Sequence, residues 1–444
     1  MKKYIKNIVP VAALLLTMGT ATSCVGDLDV TPINPNIQTG LNIDGLFNKC
    51  YANFALAGNG GANGDCDIDG IDGGTSGFVR QTFNANELPT DEAICGWGDD
   101  GIAGFCYNSY NASNPMLIGL YARITTGIAY CNQYLAEAGD QDATKLAEIR
   151  FLRAYEYFSL MDGWGNIPFT LQPLTKPERY TRAQVYEWLE KELLEIEPSL
   201  SDAKAKKSTD AGYGRVDKAA CWLLLSRLYL NAEVYTGTPQ WEKAKSYAKK
   251  VMDSSYKLNT KSVNGWSAYQ MLFMGDNGET DAAYEGIFPL LQDGLKTTSW
   301  GTTLFLLAST YDQDMHANPN NPSATNGTDQ AWGGNRARPD LVKKFFPNGN
   351  VPNLESYATA EAAGDDRALF NGVNRSLDND DVATFKSGFG VAKFTNFKTD
   401  GSAGKDATFP DADFFLMRVA EAYLNFAEAD ARLNGDQTTA EGTK

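Results

Sequence analysis

Seven stretches of the chain place apolar residues at helical spacing, and several have readable ends. Asn114-Pro115 supplies a cap and a proline suited to the first helical position. Leu117, Tyr121, Ile124, Ile128, Cys131 and Leu135 then share one face, and Gly139 is the stop. The next stretch, 144–162, is apolar nearly all round, which predicts a central helix ending at Gly163. Thr181 with Gln184 makes a capping box ahead of Val185, Leu189, Leu193 and Ile196, closed by Pro198. Residues 216–234 and 239–253 follow, the latter with Trp241, Ala244, Ala248 and Val251 on one face. Helices at 43–57 and 412–434, the last stopped by Gly435, complete the set. Short links between consecutive helices force antiparallel pairs. With small residues such as Ala219, Ala220, Ala244 and Ala248 at the contacts, these predict a degenerate tetratricopeptide-like scaffold. The fold class is therefore mainly α.

Two segments break this rhythm. Between 58 and 111, and again between 256 and 410, Gly, Asn, Asp, Thr and Pro are dense and helical periods give way to short stretches such as Gly286 to Leu291. Long irregular loops on a stiff frame are usually functional. The expected arrangement is one domain over 41–444. Its helical part, 41–255, carries a loop near 58–111, the region 256–410 forms a ligand-binding face, and a closing helix spans 411–435.

The first residues have another character. Lys2, Lys3 and Lys6 precede the apolar run Ile8 to Met18 and small residues leading to Cys24, which reads as an export signal over 1–23. Eleven residues are too short for a bilayer core needing roughly 20. Ala21-Thr22-Ser23-Cys24 has the form of a lipoprotein box with alanine in place of the commoner leucine, so Cys24 is the expected lipidation site. Residues 24–40, with Asp27, Asp29, Pro32 and Pro35, read as a flexible tether between the lipid and the body.

Without the leader the chain holds 36 basic residues against 55 acidic, a balance of −19 that opposes phosphate backbones and leaves neutral ligands free to bind. Nucleic acid is thus excluded as a partner. His316 is the single histidine, in a loop rich in Asn and Pro, and neither a nucleophile elbow nor a zinc-binding helix motif accompanies it. Six cysteines beyond Cys24, at 50, 66, 95, 106, 131 and 221, allow fifteen pairings and include no Cys-x-x-Cys. The run Asp65-Cys-Asp-Ile-Asp-Gly70 opens like a calcium loop but has Ser76 at the twelfth position, so it reads as a structural turn. No cofactor is required.

Of eight tryptophans, Trp164, Trp188, Trp222 and Trp241 lie on or beside helices and read as packing residues, whereas Trp97, Trp266, Trp300 and Trp332 lie in irregular segments. A large apolar face in a glycine-rich loop suits a ligand with its own apolar face. Trp97, in Gly96-Trp-Gly-Asp-Asp100, suits a sugar ring, with Asp99 and Asp100 accepting its hydroxyl hydrogens. Trp300, Tyr311 and Trp332 are the further candidates, with Arg80 as a multiple donor on the same face and Trp266 as the weakest of the loop tryptophans.

Two distant stretches, Phe151-Leu-Arg-Ala-Tyr-Glu-Tyr-Phe-Ser-Leu-Met-Asp-Gly-Trp-Gly-Asn-Ile-Pro168 and Phe415-Leu-Met-Arg-Val-Ala-Glu-Ala-Tyr-Leu-Asn-Phe-Ala-Glu-Ala429, closely resemble segments of the SusD/RagB family. The leader, Asn86 to Glu92 and Trp241-Glu-Lys-Ala244 extend the resemblance along the chain. It implies a lipid-anchored protein on the outer-membrane surface that captures oligosaccharides or polysaccharide fragments. Such a protein passes them to a SusC-like TonB-dependent transporter and does not cut them. Family members continue with more helices after the segment matching Phe414 to Gly435, so the resemblance also implies a truncated end at Lys444. Two rival readings stand beside it. One is a helical glycoside hydrolase or lyase acting through paired carboxylates. The other is a repeat scaffold that binds peptides or proteins.

Overall fold

The computed structural model describes residues 42–64, 66–139, 142–321 and 324–435. The signal, Cys24, the tether and the chain end at Lys444 lie outside them. Two compact units are distinguished, Met1–Gly45 and Leu46–Lys444; the first contributes, among the described residues, the opening of helix α1.

Thirteen α-helices occur among the described residues. Those of the frame are α1 (Ile43–Ala52), α4 (Pro115–Glu137), α5 (Ala143–Trp164), α6 (Arg182–Ile196), α7 (Lys218–Leu230), α8 (Ala232–Thr236), α9 (Trp241–Met252) and α13 (Val419–Asn434). Between them lie α2 (Phe78–Glu87), α3 (Ile102–Cys106), α10 (Thr303–Ala308), α11 (Pro339–Lys344) and α12 (Ser356–Ala363). The frame is a succession of packed neighbours: α4 on α5, α5 on α6, α7 on α9, and α9 on α13. The caps expected from the sequence are present. Asn114 accepts from the N–H groups of Met116 and Leu117, and Thr181 and Gln184 exchange both bonds of the capping box. The central helix α5 is buried along most of its length and runs to Trp164, one residue past the expected glycine.

Charged bridges bind the layers. Glu192 of α6 receives Arg150 at 2.7 Å and Arg153 at 3.1 Å from α5. Arg227 of α7 pairs with Glu421 of α13.

Three elements depart from the sequence reading. Residues 414–418 form strand β8 (Phe414–Arg418), not the start of the last helix, because they pair antiparallel with β4 (Gly286–Leu290) and bury alternate side chains. Residues 216–234 form two helices, divided at Asn231. Inside 58–111, α2 and α3 stand where irregular chain was expected. The remaining strands form two-stranded antiparallel sheets: β1 (Ala93–Cys95) with β5 (Asn335–Ala337), β2 (Ile167–Phe169) with β3 (Glu178–Tyr180), and β6 (Phe370–Asn371) with β7 (Gly390–Val391).

Asp413, just before β8, ties the loop-rich region together. Its carboxylate accepts from Tyr213 Oη at 2.7 Å and from the Gln292 N–H at 2.7 Å, while its own N–H donates to Asn277 Oδ1 at 3.0 Å. Burial pushes this carboxyl up to about 7, against the opposing pull of the two donors. Its folded pKa therefore lies above the unfolded value of about 3.9, so the folded chain holds a proton that the unfolded chain has released. The stability contributed is full below about pH 4 and is lost as pH rises through about 7, at up to about 1.4 kcal/mol per pH unit. Asp413→Asn is expected to flatten the dependence of the urea midpoint on pH between these limits. Parallel curves for variant and parent would refute the assignment.

Candidate functional site

The pairing of β1 with β5 sets Cys95 opposite Asn335, and the Gly96 N–H extends the ladder to Gly334 O at 3.1 Å. Trp97 and Trp332 therefore leave the same end of one sheet, although 235 positions separate them in sequence. Their ring centres lie 6.2 Å apart with planes inclined 50°.

The third indole arrives through α10. All six residues of this helix are buried. Trp300 lies just before its first turn, and the carbonyls of its last turn and cap receive the strand that bears Trp332: Trp332 N–H to Ala308 O at 2.7 Å, and the Gly334 and Asn335 N–H groups to Ser309 O, each at 2.8 Å. In the middle of the helix, Phe305 packs in an edge-type arrangement with Trp97, ring centres 6.1 Å apart. Trp300 thus stands 6.2 Å from Trp332, inclined 44°, and rests on Phe409 at 5.0 Å.

Close backbone crossings make these positions obligatory. A Cβ on Gly77 would come within 2.5 Å of Gly301 O, and one on Gly334 within 2.2 Å of the Trp97 ring. The result is a row, Trp97–Trp332–Trp300, in which each ring is partly exposed and each turns relative to the last. The indole N–H of Trp332 is bound by Gln330 Oε1 at 2.8 Å, so its polar edge is already satisfied.

Arg80 of α2 is largely buried, with its guanidinium 5.6 Å from the Trp97 ring and 5.4 Å from Phe305. It approaches Asp99 at 3.8 Å, and its backbone N–H donates to Gly301 O at 3.1 Å. The structure places it as a brace between the Trp97 loop and the Trp300 loop. Asp99 and Asp100 are exposed beside Trp97.

Two residues sit elsewhere than the sequence suggested. Tyr311, expected among the ligand contacts, is completely buried; its backbone carbonyl holds the Gly333 N–H at 2.8 Å from within. Trp266 is also fully buried, stacked near Phe397. An irregular segment has no period to tell an inward aromatic from an outward one. Phe305, Phe409 and Gln330, which seat the three indoles, carried no sequence signal of their own.

A cavity of about 430 Å³ lies apart from this row, lined by Phe78, Phe83, Leu306, Phe394 and Phe414 among others and by none of the three tryptophans. His316 contacts Glu355 at 3.4 Å and touches none of the three indoles. Asp67 is taken up by Arg123 at 2.8 Å and Lys49 at 3.1 Å. Among the described residues no cluster of His, Cys, Asp and Glu has the arrangement of a metal site. No helix among them is long and apolar enough to cross a membrane.

A family model described as the SusD family matches residues 356–442. The starch-binding protein SusD of Bacteroides thetaiotaomicron is 38% identical across 98% of this chain and 82% of its own length. Among solved structures, a laminarin-binding SusD-like protein matches with a TM-score of 0.59 at 18% identity, covering 91% of this chain and 82% of that one. Surface glycan-binding protein A from Bacteroides fluxus matches with a TM-score of 0.59 at 17% identity, covering 90% and 78%. The last two likenesses concern the fold.

Proposed function

The chain belongs to the SusD family, and from that premise we propose that it captures starch-like glucan chains at the cell surface on the row Trp97–Trp332–Trp300, without cutting them. One observation carries the reading: three partly exposed indoles, far apart in sequence, meet at 6.2 Å spacing with planes turned by 50° and 44°. Sugar C–H faces pack on the electron-rich faces of indoles. A platform that turns at every ring fits a glucan that curves, and offers a flat β-linked ribbon only one face at a time. The 38% identical relative is a starch-binding protein, which favours the same ligand class.

In this reading Asp99 and Asp100 accept sugar hydroxyl hydrogens at one end of the row. Arg80 acts mainly by fixing Trp97, and its Nε–H has no hydrogen-bond acceptor among the described residues. Tyr311 serves beneath the surface. Lipidation at Cys24 would display the domain on the outer membrane, and a SusC-like TonB-dependent transporter would receive the captured chain. The leader supports the first and family membership the second.

Isothermal titration with maltoheptaose and with cellohexaose tests the ligand, with product analysis of the same mixtures. Saturable binding of maltoheptaose, much weaker binding of cellohexaose and no shortened sugars are expected. Cleavage products would establish the hydrolase instead, and equal affinity for the two sugars would remove the argument from curvature.

Gly334→Ala is a sharper test of the row itself. The added methyl group occupies space that the Trp97 ring now fills, so the ring must move. Affinity for maltoheptaose is expected to fall about tenfold, or about 1.4 kcal/mol. Unchanged affinity would show that Trp97 does not touch the sugar.

A further inference from the structure

Cys95 ends β1 and Cys106 ends α3, and the loop between them carries Trp97, Asp99 and Asp100. The Cys106 sulfur lies against the Cys95 backbone. It accepts the Cys95 N–H at 3.4 Å and donates to the Cys95 carbonyl at 3.8 Å. Both residues are 4% exposed and sit in one apolar cluster with Leu88, Ile94, Ile102 and Phe105. Both are free thiols in the structure. Elsewhere the Cys221 thiol is bonded to the Leu193 carbonyl and Cys66 faces the Ser76 hydroxyl.

We propose that Cys95 and Cys106 are an oxidative modification site that closes as a disulfide when the chain folds in an oxidising compartment, clasping the base of the Trp97 loop. The oxidant is a thiol–disulfide exchange agent. The Cys106 thiolate attacks its disulfide and expels one thiolate. The Cys95 thiolate then attacks the Cys106 sulfur and expels the second. Two protons and two electrons leave the pair, and the oxidant ends as two thiols. Burial pushes the Cys95 thiol up to about 12 and raises that of Cys106 as well. In the folded chain both are therefore protonated and covered, which places closure in folding, before the loop seals over them. Once formed, the bond shortens the span over which the Trp97 loop can move. This consequence for the ligand rests on the glucan-binding reading; the bond itself does not.

The test is to reduce and unfold the full chain, refold it in mixed oxidised and reduced glutathione, and alkylate all accessible thiols in denaturant. The tryptic peptide running from Gln81 to Arg123 holds both cysteines. It is expected to escape alkylation at both and to weigh two hydrogens less than the reduced form. Cleavage between the cysteines should leave the halves joined until reductant is added. Alkylation of both residues, or a link from either to another cysteine such as Cys50 or Cys131, overturns the proposal. In parallel, affinity for maltoheptaose is measured on the parent and on Cys95→Ala/Cys106→Ala, each refolded either in the glutathione mixture or in reductant throughout. The parent should lose about threefold or more when refolded in reductant, and the double variant should not respond. A mapped disulfide with reductant-insensitive affinity refutes the clasp. Absence of sugar binding in every form refutes the glucan reading and leaves the mapped bond standing.

Discussion

Trp332→Ala is expected to weaken maltoheptaose binding by about 30-fold or more, the largest loss from any single change in the indole row. Truncating a central aromatic anchor typically costs 2 kcal/mol or more, and each 1.4 kcal/mol is a factor of ten. Trp332 is the anchor in that position. It is the only one of the three in ring contact with both others, at 6.2 Å on each side. Its removal therefore takes away its own face and one wall of each neighbour. Trp97 retains Phe305 and Trp300 retains Phe409, so Trp97→Ala and Trp300→Ala are expected to cost less, about 5- to 20-fold each. Because the ring is partly exposed and its backbone is held by Ala308, the folded chain should survive: the far-UV circular dichroism and the melting temperature should stay near those of the parent. Titration of the three variants against one maltoheptaose stock decides the matter. Affinity within twofold of the parent for Trp332→Ala would mean that sugar binds elsewhere, and would return the repeat-scaffold reading to contention.

What could be read from the sequence follows the range of the physics. Asn114, Thr181 with Gln184 and Gly435 act on bonds within a few residues, so the ends they mark were legible and are found there. Helix α2 has no such mark: Gly77 precedes it without a side-chain cap. Helix α10 is six residues buried on every side, which a linear pattern cannot distinguish from a buried strand. Phe414–Met417 is apolar at every position, so its period of two was invisible until β4 supplied the partner. The candidate site divides in the same way. A tryptophan among glycines announces itself, and Trp97, Trp300 and Trp332 do converge. Their convergence depends on the β1–β5 register and on the crossing of Gly77 with Gly301, both of them long-range contacts. Tyr311 and Trp266 carry the same local signal as the others and point inward.

That convergence needs a frame that holds the glycine-rich loops still, and one buried residue does much of this. Arg123, on α4, has no exposed surface, and every one of its donor groups is used. Its Nε–H donates to Ser76 O at 3.0 Å. Nη1 reaches Asn53 Oδ1 at 3.1 Å and Asp67 Oδ1 at 2.8 Å, and Nη2 reaches Ser76 Oγ at 2.9 Å and Ala57 O at 3.4 Å. The loop from Ala57 to Ser76 is thereby sewn to the helical frame, and Gly74 at its end lies against Trp300. Burial opposes ionisation of Asp67, but Arg123 and Lys49, with the Tyr130 hydroxyl, hold its carboxyl below the usual range. Arg123→Ala is expected to cost about 3–5 kcal/mol of stability, because it leaves the Ser76 carbonyl and Asn53 Oδ1 buried without donors and takes from Asp67 the nearer of its two cations, although Lys49 remains at 3.1 Å and the Ala57 carbonyl keeps the Asp67 N–H. Arg123→Lys keeps the charge but lacks the planar fork, so it should fall between parent and alanine. Urea midpoints for the three proteins give the answer. A loss below about 1 kcal/mol for alanine would mean that water replaces the guanidinium without penalty, and that the loops are held by their own turns. A loss of the expected size, with maltoheptaose affinity falling in step, would tie the indole row to the frame through this single side chain.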